Sequence, residues 1–508
     1  MDRGKVYLIG AGPGDPGLLT LKGRGLLESA DVVVYDYLAS EELLSFCRPG
    51  AEKIYVGKQG GEHTLSQAQI SGLLVEKARE GALVARLKGG DPFIFGRGGE
   101  EAEVLWEAGV PFEVVPGVSS AVAAPAYAGI PLTHRRYASS VAIVTGHEDP
   151  DKDSSQIVWE HLARGVDTLV FLMGVKTLAE TARRLLQEGR DPATPCAVVR
   201  WGTLARQRTV TGPLDGIAEA VRQAGLQAPA VLVVGDVVRL RDRLSWFEKA
   251  PLFGRRVVVT RSREQASELA ERLRAAGADP IECPAISVGD PGDWQGCDAA
   301  LDRLGSYDWT VFTSPNGVRF FLRRLLDTGR DIRDLRGPRI AAIGPGTAAA
   351  LERLGVRVDL IPGEYRAEGL VEAFGGEAVR GKRFLLARAQ EARDVLPRQL
   401  AQMGAAVDVA AVYRTVMPEG AGEAVRALLE GGAVDVVTFT SSSTVTNFAR
   451  MMGDAPLARL LQGVVVACIG PITAETAHAA GIQPSVVART YTIEGLVAAL
   501  VDHFHGAA

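Results

Sequence analysis

Lysine is scarce in this chain. Of its 56 basic residues 46 are arginine and 10 are lysine, and Lys382 is the single lysine after Lys249. Two readings of that imbalance stand: bidentate recognition of carboxylates or phosphates, for which arginine forks are suited, and genomic codon bias. Cysteine is also sparse. Cys47, Cys196, Cys283, Cys297 and Cys468 stand far apart with no CxxC pair, which argues against a zinc ribbon, an iron-sulfur cluster or a disulfide framework. The seven histidines show no ligand spacing, and His503 and His505 fall in the last few residues, so no metal is expected. No apolar run reaches the roughly 18 residues that a membrane span needs. Met1-Asp2-Arg3-Gly4-Lys5 leads into a strand-like run rather than a signal peptide, and a soluble, cytoplasmic protein is expected. Charge of one sign is lacking as well. Residues 1–250 carry 28 basic and 31 acidic side chains and residues 251–508 carry 28 and 30, so neither half is a basic nucleic-acid module.

What is present is ordinary globular composition over 508 residues, enough for roughly three domains at about 100–200 residues each. Short Val- and Ile-rich runs alternate with amphipathic stretches throughout. Val6 to Ile9, Val32 to Tyr35, Val141 to Thr145, Thr168 to Leu172, Val231 to Val234, Arg256 to Thr260, Thr310 to Thr313, Ile340 to Ile343 and Val434 to Thr440 predict buried strands of α/β units. A seam falls near 240–255, where a charged stretch and then Pro251 and Gly254 precede a fresh strand.

The second half repeats itself. Val257-Val258-Val259-Thr260-Arg261 with Leu269, Leu273 and Gly277 matches Phe384-Leu385-Leu386-Ala387-Arg388 with Leu396, Leu400 and Gly404, 127 positions on. Phe312-Thr313-Ser314 matches Phe439-Thr440-Ser441 at the same offset, and Ile343-Gly344-Pro345 with Thr347 matches Ile469-Gly470-Pro471 with Thr473 at 126. Two similar α/β lobes follow, with a cleft between them as the default ligand site.

In the first half, Gly10-Ala11-Gly12-Pro13-Gly14-Asp15-Pro16-Gly17 follows a strand. A dinucleotide fingerprint is disfavoured, because the third glycine position holds Asp15 and two prolines remove amide donors. The loop suits a ligand that is not a polyphosphate, or is a plain strand-helix turn. More specific is Arg86-Leu87-Lys88-Gly89-Gly90-Asp91-Pro92-Phe93-Ile94-Phe95-Gly96-Arg97-Gly98-Gly99-Glu100-Glu101. Its bare Gly89-Gly90 lets a ligand approach the backbone, and Asp91 can accept from an amine or ribose hydroxyls.

Taken in order, Gly10 to Gly25, Tyr35-Asp36, Gly57-Lys58, the Gly89-Gly90-Asp91-Pro92 block, Pro116-Gly117, Leu172-Met173-Gly174, Gly202-Thr203, Pro229-Ala230 and Val234-Gly235 closely resemble uroporphyrinogen III C-methyltransferases of the tetrapyrrole methylase superfamily. The resemblance covers about residues 4–248. It implies two methyl transfers from S-adenosylmethionine, to carbons 2 and 7 of uroporphyrinogen III, giving precorrin-2 on the route to sirohaem and cobalamin. It implies a donor pocket of Pro13, Gly89, Gly90, Asp91, Ile94, Ser119, Ser120, Met173, Gly202 and Ala230. This chain has Ser119-Ser120 where the family often has Thr-Ala. Asp36 and Lys58 fall on the family's proton acceptor and donor, with Arg97, Glu100 and Arg135 facing the substrate. Asp36 as general base, Asp36 as a structural strand-end carboxylate, and Arg97 or water as the base all remain open.

Residues from about 253 to 505 resemble uroporphyrinogen III synthase, through Phe312-Thr313-Ser314-Pro315-Asn316-Gly317-Val318, Ile343-Gly344-Pro345-Gly346-Thr347, Val412-Tyr413-Arg414-Thr415, Thr438 to Ser443 and Ile469-Gly470-Pro471 with Thr473. The resemblance implies cyclisation of hydroxymethylbilane with inversion of ring D through a spiro intermediate. Tyr413 aligns with the tyrosine proposed to assist departure of the hydroxyl; an inter-lobe structural tyrosine is the alternative. Ser314, Asn316, Gly317, Thr347, Ser441, Ser442, Ser443 and Thr473 are expected to bind substrate carboxylates.

The expected architecture is therefore α/β: a two-lobed tetrapyrrole methylase fold over 1–248, then a two-lobed flavodoxin-like synthase fold over 249–508. The synthase lobes are expected at 253–288 plus 418–508, and at 289–417. The expected ligands are S-adenosylmethionine, hydroxymethylbilane and uroporphyrinogen III, with no metal, nucleic acid or membrane partner. The resemblance implies a homodimer through the methylase half. No additional nicotinamide-binding domain is recognised. A non-catalytic C-terminal module sensing an anionic tetrapyrrole, and a methylase for another tetrapyrrole position, are the alternative functions.

Overall fold

The computed structural model describes residues 4–39, 41–57, 65–146, 156–260, 263–283, 287–375, 379–392, 394–416, 421–453 and 455–506. Two compact units are present, one built on the chain up to Arg255 and the other on Arg256–Arg272 and Pro280–His503. No helix of the described residues is long and apolar enough to cross a membrane.

The first unit contains two five-stranded sheets. In one, strands Glu52–Tyr55, Val32–Tyr35, Leu83–Lys88, Lys5–Gly10 and Phe112–Val115 lie in that order, all parallel. Buried on both faces, its central strands read as continuous apolar runs; the exception is Leu83–Lys88, which buries Arg86 and Lys88. The other sheet is mixed. Its order is Val141–Thr145, Thr168–Leu172, Ala230–Val234, Pro195–Arg200, Arg208–Pro213, with the first pair parallel and the remaining pairs antiparallel.

In the second unit, one sheet orders Asp279–Glu282, Arg256–Val259, Val436–Phe439, Val465–Cys468 and Val486–Val487. Counted along the chain this is 2-1-3-4-5, the doubly wound flavodoxin order. The other sheet orders Ser287–Gly289, Ala406–Val416, Arg383–Ala389, Trp309–Phe312 and Arg339–Ala342. It is parallel apart from the short antiparallel edge strand Ser287–Gly289. Repeat-equivalent strands occupy the same place in each sheet: Arg256–Val259 matches Arg383–Ala389, and Trp309–Phe312 matches Val436–Phe439. Each sheet thus takes its first two parallel strands from one repeat and the next two from the other.

The repeat extends to packing and caps. Phe312 meets Phe321 edge-on at 5.4 Å between ring centres, and Phe439 meets Phe448 in the same way at 5.4 Å. Such pairs contribute about 0.5–1.5 kcal/mol beyond their buried area. Ser314 and Ser441 each cap the following helix by accepting from a backbone amide in its first turn, an interaction typically worth ~1 kcal/mol.

Candidate functional site

At the carboxyl ends of the parallel strands of the first unit three loops meet with almost no side chains between them. Gly12 and Gly90 exchange backbone hydrogen bonds of 3.2 and 2.7 Å. A Cβ placed on Gly10 would lie 2.4 Å from Gly117 Cα, and one on Gly117 would lie 2.3 Å from the Gly90 carbonyl oxygen. Only glycine permits this approach. Beside the loops opens a cavity of about 1360 Å³, larger than the roughly 300–1,000 Å³ of a single small-ligand site.

Of the residues expected to hold the methyl donor, Pro13, Gly89, Gly90, Ile94, Ser120, Met173, Gly202 and Ala230 line this cavity, together with Asp36 and Arg97. Two further residues expected at the donor, Asp91 and Ser119, sit in the adjoining loops. The Asp91 carboxylate accepts from the amides of Phe93 at 2.8 Å and Gly117 at 3.0 Å, so its two oxygens tie the loops together. Ser119 caps the helix Ser120–Tyr127, its hydroxyl accepting from Ala121 N. Neither is among the cavity-lining residues. Asp15 serves its own loop as well, accepting from Gly17 N at 2.8 Å and from the Tyr127 hydroxyl at 2.7 Å. That supports the strand-helix-turn reading of Asp15.

Arg97 sits at φ +58 and grips Glu100 with two hydrogen bonds of 2.9 and 2.6 Å. Glu100 and Arg135 are exposed and do not line the cavity. Lys58 lies outside the described residues. Backbone strain concentrates at this site: Phe95, Arg97, Met173 and Trp201 all hold positive φ and all line the cavity.

Beneath Asp36 lies a set of charges that the motif reading passed over. Arg86 and Lys88, two residues apart on one strand and so on one face, are 3% and 4% exposed, and Glu101 is fully buried. Glu101 Oε1 accepts from Lys88 Nζ at 2.7 Å, Gln67 Nε2 at 3.0 Å and Arg86 Nε at 3.3 Å. Arg86 also donates to Asp36 Oδ2 at 3.1 Å, while Asp36 Oδ1 accepts from Leu38 N at 3.1 Å. Burial, reinforced by the neighbouring Arg86 charge, holds Lys88 below the ordinary lysine value against the pull of Glu101. The sequence does carry a signal for this cluster. Glu101 falls on the same helical stripe as Gly98, Ala102 and Leu105, all buried, where a carboxylate needs a cationic partner.

In the second unit the expected residues gather at the carboxyl ends of parallel strands. The Ser314 and Tyr413 hydroxyls are 3.0 Å apart, and Ser314 Oγ also accepts from Gly317 N at 2.9 Å. Tyr413 is half-buried and packs against Phe320 with ring centres 5.9 Å apart. Asn316 lies half-buried in the same helical turn. In the equivalent position of the other sheet, the Ser441 and Ser443 hydroxyls are 2.9 Å apart, and Ser442 Oγ accepts from Thr476 at 2.7 Å. Thr347 and Thr473 are 3% and 5% exposed, so their side chains face the core.

A family model of tetrapyrrole (corrin/porphyrin) methylases matches residues 5–218, and one described as uroporphyrinogen-III synthase HemD matches residues 267–498. The porphyrin biosynthesis protein HemD of Ruminiclostridium josui is 39% identical over 506 residues, covering 99% of this chain and 98% of that protein. The chain belongs to the fused methylase-synthase family. Its methylase half is 56% identical over 241 residues to an S-adenosyl-L-methionine-dependent uroporphyrinogen III methyltransferase of Methanosarcina barkeri, covering 47% of this chain and 94% of that one. A uroporphyrinogen-III C-methyltransferase of Bacillus subtilis is 44% identical over 362 residues, covering 71% of this chain and 74% of its own, so that match runs on into the synthase half.

Proposed function

We propose that the chain makes uroporphyrinogen III from hydroxymethylbilane in its synthase half and methylates it to precorrin-2 in its methylase half. It is an S-adenosylmethionine-dependent uroporphyrinogen III C-methyltransferase joined to a uroporphyrinogen III synthase, a cyclising hydro-lyase. The observation that carries this reading is the pairing, in one chain, of the glycine-walled cavity holding Asp36 with the hydroxyl cluster around Tyr413. The methylase is assigned to 1–248 and the synthase to 249–508, with synthase lobes at 253–288 plus 418–508 and at 289–417. Membership of the strands in the two synthase sheets supports that division, apart from the edge strand Ser287–Gly289, which pairs with Ala406–Val416 of the 289–417 lobe.

The cavity fits the methyl donor and a macrocycle together. Its volume exceeds that of one small-ligand site, and Gly90 offers bare backbone where a Cβ would find nothing nearer than 3.7 Å. Pro13, Gly89, Gly90, Ile94, Ser120, Met173, Gly202 and Ala230 would hold the donor. When bound, it supplies a methyl group already activated on a sulfonium. Methylation makes the ring carbon quaternary, Asp36 takes the proton that the resulting cation loses from a pyrrole N–H or a bridging carbon, and Arg97 holds a substrate carboxylate; alignment supplies much of the remaining rate. In the synthase half the Tyr413 hydroxyl donates a proton as the bilane's C–O bond breaks, so that hydroxide leaves as water. Its other neighbour, Ser314, orients the phenol. Attack by the substituted carbon of ring D forms the spiro intermediate; that carbon's bond to the neighbouring bridging methylene then breaks and the methylene rejoins ring D at its free α-carbon, whose proton returns to the Tyr413 phenolate.

A homodimer through the methylase half and a cytoplasmic setting complete the reading. The five free cysteines, four of them buried, fit a reducing compartment. The test is to give the purified chain hydroxymethylbilane and the methyl donor and analyse the products by chromatography and mass. The type III isomer bearing two added methyl groups is expected. Saturable binding of the bilane without turnover would instead make the C-terminal half a sensing module.

A further inference from the structure

Two features set the buried charges under Asp36 apart from a surface ion pair. Arg86, Lys88, Asp36 and Glu101 sum to zero formal charge, but three of the four are almost wholly removed from water. Glu101 Oε2 moreover has no hydrogen-bond partner among the described residues. Well-packed apolar side chains serve stability at least as well as a buried ion cluster of this kind. The cluster is also directional. Arg86 donates to Glu101 at one edge and to Asp36 at the other, while its remaining nitrogen reaches the carbonyl oxygens of Leu87 at 3.2 Å and Val34 at 3.5 Å. Its plane is therefore fixed from the core outward. Asp36, Arg86, Lys88 and Gln67 all line the cavity, whereas Glu101 does not.

We propose that Glu101 is a positioning residue for methyl transfer: from the core side it anchors Arg86 and Lys88, and Arg86 then holds the Asp36 carboxylate in the cavity wall. This rests on the reading of Asp36 as the proton acceptor. With Leu38 N on one oxygen and Arg86 on the other, Asp36 keeps one orientation in which to receive a proton. Loss of the Glu101 charge leaves Arg86 and Lys88 facing each other with a single anion between them, and the guanidinium turns away from Asp36.

The experiment is a double-mutant cycle on the full chain. Methyl-transfer kcat and KM for uroporphyrinogen III are measured at saturating donor for wild type, Asp36→Asn, Glu101→Gln and the double variant. Calorimetric binding of S-adenosylhomocysteine serves as a check on the fold of the site. Glu101→Gln is expected to lower kcat about 100-fold, the scale on which small misplacements act, with KM within about threefold. In the Asp36→Asn background it is expected to cost less than about threefold more, because coupled residues are not additive. A kcat near wild type for Glu101→Gln, with Asp36→Asn impaired, overturns the positioning role alone. Equal losses in both backgrounds also overturn it, since a purely structural residue acts independently of Asp36. An Asp36→Asn variant that turns over at the wild-type rate removes the proton-acceptor reading and the role of Glu101 with it. Should Glu101→Gln fail to bind S-adenosylhomocysteine, Arg86→Lys takes its place in the cycle. It keeps the charge but cannot bridge both carboxylates; a loss confined to the Asp36 background supports the inference and an additive loss rejects it.

Discussion

Among the described residues of the N-terminal unit five non-glycine residues hold positive φ, Phe95, Arg97, Met173, Trp201 and Thr203, and four of them line its cavity. Among the described residues of the C-terminal unit every positive-φ position is a glycine. The charges differ in parallel. Under the methylase cavity lie Arg86, Lys88 and Glu101, nearly or fully buried, whereas the synthase cluster is built from neutral hydroxyls, Ser314 at a helix start with Tyr413 on a strand and Ser441 with Ser443 at another helix start. The contrast matches the two chemistries. Methyl transfer is an alignment problem followed by removal of a proton, which favours a stiff wall and a fixed carboxylate. Ring closure of a flexible bilane requires many modest contacts to its carboxylates and one proton donor, and the amides and hydroxyls of unstrained capped helix starts are suited to such contacts.

The sharpest way to break that comparison is Asp36→Asn. Methyl transfer is expected to fall about 10²- to 10⁴-fold, the range for loss of a general base, while formation of the type III isomer stays at wild-type rate; separate product assays check both. Next in size is Gly117→Ala. Its new Cβ would meet the Gly90 carbonyl oxygen at 2.3 Å, so overpacking of about 1–3 kcal/mol is expected, with weakened S-adenosylhomocysteine binding by calorimetry and an unchanged synthase rate. Tyr413→Phe removes one phenolic hydrogen bond, worth about 0.5–1.5 kcal/mol. It is expected to slow bilane cyclisation roughly tenfold if one such bond is lost in the transition state and to leave methylation of supplied uroporphyrinogen III untouched.

The smallest effect is a pH dependence confined to the methylase half. Lys88 sits below its ordinary value of 10.5 in the folded chain, so between its folded and unfolded values the unfolded state binds more protons. Folding stability therefore rises with pH through that window and levels off above 10.5. Urea unfolding of wild type and Lys88→Met over alkaline pH should show the wild type gaining on the variant, and a constant difference would contradict the assignment.

Much of the fold was legible because its signals are local. The 127-residue offset identified equivalent strands, and the Phe312/Phe321 and Phe439/Phe448 pairs show that the repeat extends into the packing. That each synthase sheet draws strands from both repeats is not written in the offset, since pairing partners depend on chain crossover rather than on spacing. The site was legible in part. A carboxylate after Gly-Gly reads the same whether it faces a ligand or two amides, and the two loop amides that Asp91 accepts from are not written in its motif. Thr347 and Thr473 follow Gly-Pro helix starts, and their burial depends on the turn of each helix rather than on the motif. Arginine and lysine on a strand carry no local mark of burial, and only the core stripe carrying Glu101 signals these buried charges.

The most direct test of two separate chemistries in one chain is the product formed by Asp36→Asn from hydroxymethylbilane in the presence of the methyl donor. Unmethylated uroporphyrinogen III, the type III isomer, is predicted to accumulate. Precorrin-2 at the wild-type rate, or loss of the type III isomer along with methylation, would contradict the account.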